Sequence, residues 1–338
     1  MKGEIGSIKK ILVIRFSSIG DIVLTTPVIR CLKKQLPHLE LHFATKRSYA
    51  FILKNNPYID KVHELESDYN DLADQLISEQ FDLVLDLHHN LRTRKLKKAL
   101  GVKSHSFFKS NVAKWLKVNF KIDRLPKKHI VDRYMETALT LGVENDGLGL
   151  DYFIPIEDEV NIEEIFLKAQ SGFVAMAIGG QHETKKMPRK KLKQLCADID
   201  KPIVLLGGKE DAKNGAFIAS ENALVYNACG MLNLNQSASV CKQATCVITH
   251  DTGMMHISAA FDKQIISLWG NTIPEFGMYP YMPEQKENNF QFEVKGLSCR
   301  PCSKIGFDKC PKGHHKCMEH QNLSQIAQKV DETFRTTI

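Results

Sequence analysis

An α/β protein with two doubly wound, parallel-sheet domains is the architecture this sequence predicts, and three observations lead there. The segment from Lys10 to Cys31 opens with the apolar run Ile11-Leu12-Val13-Ile14, passes through the polar turn Ser17-Ser18-Ile19-Gly20-Asp21, and continues with apolar residues at helical spacing. A second strand-and-helix series starts again near residue 165, and four of its strands end at glycine or at an Asp-Thr-Gly turn. The chain has 338 residues, 43% hydrophobic and 25% charged, which suits about two domains rather than one oversized core.

The opening run is β-branched and uninterrupted, as a strand buried on both faces requires. The turn after it has two readings. It is a capped strand-to-helix connection of the kind any α/β protein needs, or it is an anion-binding turn. In the second reading Gly20 permits close backbone approach, free N–H groups line the first helical turn, and Asp21 sets a carboxylate at the mouth. Val23, Leu24, Val28, Ile29, Leu32 and Leu36 predict one helix, with Pro27 at its first position or at a kink. Leu39–Ala44 reads as a strand, Tyr49–Lys54 as a helix ending before Asn56-Pro57, Val62–Leu65 as a short strand and residues 69–79 as a helix. Phe81–Leu87 is a strong buried strand leading into His88-His89-Asn90-Leu91-Arg92-Thr93-Arg94. Asn90, Arg92 and Arg94 are therefore candidate contacts to an anionic substrate, against the plainer reading of a basic surface loop.

Residues 95–130 mix lysines with Phe107, Phe108, Trp115 and Phe120. Such a stretch is either a helical face packing its apolar side inward or a surface that meets anionic lipid. His129–Leu141 is an amphipathic helix that closes the first domain, residues 1–150. Residues 144–164 are polar, acidic and turn-rich, and read as a linker. In the second domain, residues 165–320, the strands are Phe173–Ile178, Ile203–Leu206, a weaker one from Val225, Cys246–Thr249 and Ile265–Trp269. The helices between them are Lys190–Ile199, Leu234–Ala244 and Met255–Phe261. Residues 321–338 carry a last amphipathic helix, free to cross back onto the first domain.

Composition excludes several classes. No stretch approaches the roughly 20 apolar residues of a membrane span, and residues 1–10 precede no secretory apolar region, so a cytoplasmic protein is expected. The net charge of +7 draws the surface toward phosphates or an anionic lipid face without naming a partner. Five of the nine cysteines are scattered through apolar segments, where a reduced, buried thiol is the ordinary state. The others, Cys299, Cys302, Cys310 and Cys317, enclose Gly313-His314-His315. They form a structural zinc knot or a compact loop of reduced thiols.

Two further constellations concern chemistry. Thr184-Lys185-Lys186-Met187-Pro188 follows the Gly179-Gly180 strand end, where a lysine can meet a phosphate as a point charge. Asp251-Thr252-Gly253-Met254-Met255-His256 combines an acid at a strand tip, a hydroxyl, a close-approach glycine and an imidazole on the first helical turn. Its plain reading is a helix cap and a packed histidine. The pair Asp198 and Asp200 sits at a helix end away from any strand tip and reads as a turn, not a manganese site.

These motifs, together with Asp86-Leu87 before Asn90, Leu206-Gly207-Gly208, Gly230 ahead of Leu234, and Gly270-Asn271-Thr272, resemble in order and spacing the motif set of glycosyltransferase family 9. That family comprises the ADP-heptose:lipopolysaccharide heptosyltransferases, and the resemblance runs from about Lys10 to Met318. It implies a GT-B fold, two facing Rossmann-like domains with the acceptor on the first and the donor mostly on the second. It also implies inverting, metal-independent transfer with no cofactor. Carried over by position, Asp21 is the general base and Lys185 neutralises the donor diphosphate. Ser18, Gly20, Asn90 and Arg92 fall on the acceptor side. Gly180 and Gln181 lie by the phosphates, Asp251, Thr252, Gly253, Met254 and His256 surround the sugar and phosphates, and Glu210 and Leu232 face the ribose and adenine. Met187 and Asn271 depart from the pattern, where relatives often have an aromatic residue and a proline.

The expected partners are ADP-heptose, an inner-core or lipid A-linked lipopolysaccharide acceptor and the anionic inner leaflet. The protein would sit peripherally on the inner face of the inner membrane, and no nucleic-acid partner is expected. Two rivals stand beside this reading: a relative using another nucleotide-sugar, and a non-catalytic nucleotide-sugar or lipid-binding module on the same fold.

Overall fold

The computed structural model describes residues 8–336, which form two compact units. The first holds the chain up to Ser110 together with Lys128–Phe153, and the second holds Asn111–Lys127 and everything from Ile154 onward. Residues 111–127, counted with the first domain on sequence grounds, thus cluster with the second unit. The final helix, Leu323–Thr336, also stays with the second unit: Ile326, Val330 and Phe334 join the core built by Leu192 and Leu195. Its apolar stripe is covered within that unit.

The first sheet contains β1 (Lys10–Ile14), β2 (Glu40–Lys46), β3 (Lys61–Leu65), β4 (Leu83–Asp86) and β5 (Lys103–Ser106), all parallel, in the order β3-β2-β1-β4-β5. Strand order reverses between β1 and β4, so their carboxyl ends form a switch point where the flanking loops part and a ligand crevice opens. The turn carrying Asp21 and the loop carrying Asn90 leave from these two strands. The apolar residues after β1 are divided between two helices, Ile19–Val23 and Thr26–Gln35, and Pro27 lies in the first turn of the second, the main one. The hydroxyls of Thr25 and Thr26 donate back to the carbonyls of Ile22 and Val23 at 2.7 and 2.8 Å, and Pro27 has no N–H to continue the ladder.

The second sheet contains β6 (Val174–Ala177), β7 (Ile203–Leu206), β8 (Val225–Asn227), β9 (Cys246–His250), β10 (Gln264–Trp269) and β11 (Asn289–Glu293). It is parallel in the order β11-β10-β9-β6-β7-β8, with its reversal between β6 and β9. Val174, Met176, Ile203, Leu205 and Ile248 face the helices Arg189–Asp198 and Leu323–Thr336, while Ala175, Val204 and Val247 face Val240 and Cys241. Both faces are thus covered, which is why these strands read as continuous apolar runs.

The acidic linker is not loose. Its first part is clasped to the first unit by Arg30, whose guanidinium holds Asp146 at 2.8 Å, Asp151, and the Gly149 carbonyl at 2.9 Å. Its second part is tied to the second unit by Asp158, which accepts from Asn233 and Asn235, and by Glu159 paired with Lys242. No helix among the described residues is long and apolar enough to cross a membrane.

Candidate active site

In the first unit the turn after β1 is organised around Asp21. Its carboxylate accepts from the Ser18 hydroxyl at 2.9 Å and the Ser18 N–H at 3.3 Å, and pairs with the Arg15 guanidinium at 2.6 Å. Arg15 is 8% exposed, and its remaining donors go to the carbonyls of Ser17 and Leu87 and to the Tyr134 hydroxyl at 2.7, 2.6 and 3.0 Å. Burial is the largest single influence and works against that charge, but Asp21, Tyr134 and Asp86 together outweigh it and the guanidinium pKa rises. Asp21 therefore sits on a fixed cationic floor, with its carboxylate about one-fifth exposed. Beside it, His88 is pushed down to about 4 by burial and by the Arg15 and Lys109 charges, so its ring is neutral at pH 7.

The two other first-unit candidates separate. Asn90 caps the helix Leu91–Leu100, its side-chain oxygen accepting from the Thr93 N–H at 2.9 Å. Arg92 lines a cavity of about 810 Å³ with Lys46, Arg47, Tyr69 and Lys95. Asp86, named from sequence only within the motif order and given no role, is fully buried, braces the following loop through the His88 and His89 N–H groups at 3.1 and 2.7 Å, and pairs with Lys97 at 2.9 Å.

In the second unit the β6 and β9 tips bring Lys185 and Asp251 together. The ammonium lies 2.7 Å from the carboxylate and 3.1 Å from the Asp251 carbonyl, and the Thr272 hydroxyl donates to the same carboxylate at 2.8 Å. Gly180 meets this cluster closely, since a Cβ there would come within 3.1 Å of the Thr252 methyl. At Gly179 a Cβ would fall 2.5 Å from Asp211, a buried acid whose pKa burial raises. Asp211 accepts from the Gly208 N–H at 3.1 Å and so holds the β7 tip beside the β6 tip. Gln181 and Glu210 are exposed, Gly253 opens the helix Gly253–Ala259, and His256 is buried within it. Met254 and Leu232 are half-buried against the core, and Met187 is itself core, with its N–H donating to His250 at 2.9 Å.

Thr272, Asp211, Arg15 and Asn271 are the site residues not assigned a role from sequence. Asn271 is 1% exposed, and neither its amide nitrogen nor its oxygen has a hydrogen-bond partner among the described residues. A buried amide left so costs stability unless water or a ligand meets it. The signal for Arg15 was an arginine directly after a fully apolar strand.

The profile of "Glycosyltransferase family 9 (heptosyltransferase)" matches residues 69–305, more than half of the 338. The chain belongs to glycosyltransferase family 9. It is similar to lipopolysaccharide heptosyltransferase 1 of Campylobacter coli, 23% identical over 292 residues that cover 78% of this chain and 84% of the relative. Among solved structures it is similar to the family 9 glycosyltransferase of Veillonella parvula, with a TM-score of 0.76, 21% identity and coverage of 97% and 98%. It is likewise similar to ADP-heptose lps heptosyltransferase II of E. coli, with a TM-score of 0.71, 17% identity and coverage of 97% and 99%. The likeness is one of fold, the GT-B architecture of two parallel-sheet α/β domains.

In this glycosyltransferase the cysteine-rich segment packs on the turn that carries Lys185. Thr184, buried next to Lys185, exchanges hydrogen bonds with the backbone of Phe307, and its carbonyl faces His315 at 3.3 Å. Arg300 donates to the carbonyls of Gly270 and Thr272 at 2.6 and 2.8 Å and pairs with Glu293. The four cysteines are free thiols, and burial raises Cys302 and, to about 11, Cys317. Among the described residues no three of their sulfurs gather within 4.8 Å of one another. The segment's arginine and backbone brace the strand tips.

Proposed function

We propose that this family 9 enzyme transfers heptose from ADP-heptose to a lipopolysaccharide inner-core acceptor, with inversion and without a metal in the chemical step. The observation that carries this reading is the Lys185–Asp251–Thr272 cluster at the switch point of the second sheet. It places an ammonium, a carboxylate and a hydroxyl where a nucleoside diphosphate sugar would bring phosphate and hydroxyls. Lys185 would leave Asp251 for the diphosphate, neutralising the charge that grows on the leaving group, and Asp251 would accept from sugar hydroxyls. Asp21 would take the proton of the attacking acceptor hydroxyl, Ser18 and Arg15 holding it in place. Gly180, Gln181, Gly253 and Thr252 would border the phosphates, with Glu210 and Leu232 toward the nucleoside.

Asn271 favours a second reading, a relative using another nucleotide-sugar. An amide unpaired at both ends reads a hydroxyl pattern that a proline at this place could not. Turnover of ADP-heptose by the purified enzyme, measured beside UDP-, GDP- and dTDP-sugars on a heptose-free lipopolysaccharide acceptor, decides between them. Preference for ADP-heptose supports the first reading, and preference for another donor replaces it.

We place the enzyme at the anionic face of the membrane on the helix Asn111–Phe120. None of its residues is buried, and Val112, Trp115 and Phe120 are 72%, 54% and 60% exposed among lysines. Co-sedimentation with anionic vesicles should fall in Trp115→Ser. Equal binding by the variant removes the helix from that role.

A further inference from the structure

At the end of the first sheet away from the strand tips lies a second cluster that the transfer reaction does not use. His42 on β2 and His63 on β3 are 1% and 4% exposed, and their Nδ1 and Nε2 atoms face each other at 2.9 Å. Glu79, just past the helix Tyr69–Ser78, brings its carboxylate oxygens to 3.9 Å from each of these nitrogens. Phe81 closes the inner side, edge-on to both rings at 5.2 and 6.2 Å.

We propose that His42, His63 and Glu79 form a binding site for a divalent transition metal of the zinc type, oriented by Glu40. The geometry is close to what the ion needs. The two nitrogens are 2.9 Å apart, and each has its own Glu79 oxygen at 3.9 Å, Oε2 toward His42 and Oε1 toward His63. One ligand atom from each residue falls within 4.8 Å of the others, so a small side-chain shift brings all three to the roughly 2.0–2.2 Å of zinc bonds to imidazole and carboxylate. The second nitrogen of His42 lies 2.8 Å from the Glu40 carboxylate. That contact makes Nε2 the donor and leaves Nδ1, on the side of His63 and Glu79, with a lone pair to give, the carboxylate–histidine support common behind metal ligands. Two imidazoles and one carboxylate suit zinc over magnesium or calcium, which prefer oxygen alone. His63 and Glu79 also line a surface cavity of about 620 Å³, which gives the ion a path in.

The cationic place is held by lysines in the metal-free protein. Lys10 lies 3.1 Å from Glu79 and 3.2 Å from Glu40, and Lys61 pairs with the other Glu79 oxygen. Lys61 is 55% exposed along its side chain and can swing into water when a dication enters. Bound metal would clamp β2, β3 and the helix end together, away from the catalytic turn.

The test is calorimetric titration of zinc chloride into the full chain and into His63→Gln, Glu79→Gln and Lys61→Ala, with the absorption spectrum of the cobalt-substituted protein. The expected result is one zinc equivalent in the wild type that His63→Gln and Glu79→Gln lose. Lys61→Ala, freed of its competing ammonium, should bind several-fold tighter, and the cobalt spectrum should lack a thiolate charge-transfer band. Glu79 ends a surface helix, so its variant keeps the test open should His63→Gln fail to fold. Zinc binding absent from the wild type, or unchanged in both ligand variants, or a thiolate band assigning the ion to the cysteines, overturns the proposal.

Discussion

Each unit sets an acid beside a cation at the switch point of its sheet, and the two pairs are built differently. In the first, Arg15 lies beneath Asp21 with its donors spent on the Ser17 and Leu87 carbonyls and the Tyr134 hydroxyl. Such a cation cannot turn toward a ligand. It fixes the carboxylate, and in the proposed reaction the acid is the reactive group. In the second, Lys185 reaches the carboxylate and carbonyl of Asp251 from a flexible stem, 18% exposed, and no other side chain among the described residues pairs with its ammonium. An ammonium held by one carboxylate can move to a phosphate for a small cost, so in the proposed reaction the cation is the working group there.

That contrast breaks first at Asp21. Asp21→Asn retains an oxygen for Ser18 but no base, and turnover should fall by about 10²–10⁴-fold with folding intact. Steady-state transfer assays check this, and an unchanged rate would remove Asp21 from the mechanism. Arg15→Met should destabilise the first unit by about 3 kcal/mol, because it orphans two carbonyls and a partly buried acid. Urea unfolding reads that loss, and Lys at the same place should not restore it, having no fork to reach four partners. Lys185→Met should leave the fold nearly as stable and weaken ADP by about 30-fold, the worth of about 2 kcal/mol for a charge-assisted contact.

A smaller effect concerns acid stability. Burial, with Lys186 and His315 nearby, pushes His250 down to about 3, and His88 stands at about 4. Between the ordinary imidazole value of 6.5 and these values the unfolded chain binds protons that the folded chain refuses, so stability is lost as pH falls. At pH 5 each such histidine should cost roughly 2 kcal/mol. Melting curves at pH 7 and 5 should show a smaller drop in His250→Gln, which still accepts from the Met187 N–H. An identical drop would place the acid sensitivity elsewhere.

The sequence made the two sheets legible because their inner strands are covered on both faces and must be continuously apolar. The edges were not legible: β5 is Lys-Ser-His-Ser and β11 is Asn-Phe-Gln-Phe-Glu, half-exposed strands whose polar residues carry no burial signal. The strand-tip positions of Asp21, Lys185 and Asp251 followed from turn chemistry and the motif order. Their partners did not, since Lys185 and Asp251 are separated by 66 residues and meet only when β6 and β9 become neighbours. The broken helix after β1 turned on two threonine hydroxyls, whose choice of a carbonyl over water is invisible in a periodicity. Asn271 was noticed for departing from a pattern, and its buried, unpaired amide now gives that departure a physical consequence.

The division of labour is tested most directly by calorimetric titration of ADP into the wild type, Asp21→Asn and Lys185→Met. The account predicts that Asp21→Asn binds ADP as the wild type does while Lys185→Met binds it far more weakly. Wild-type affinity in Lys185→Met, or an equal loss in both variants, would contradict it.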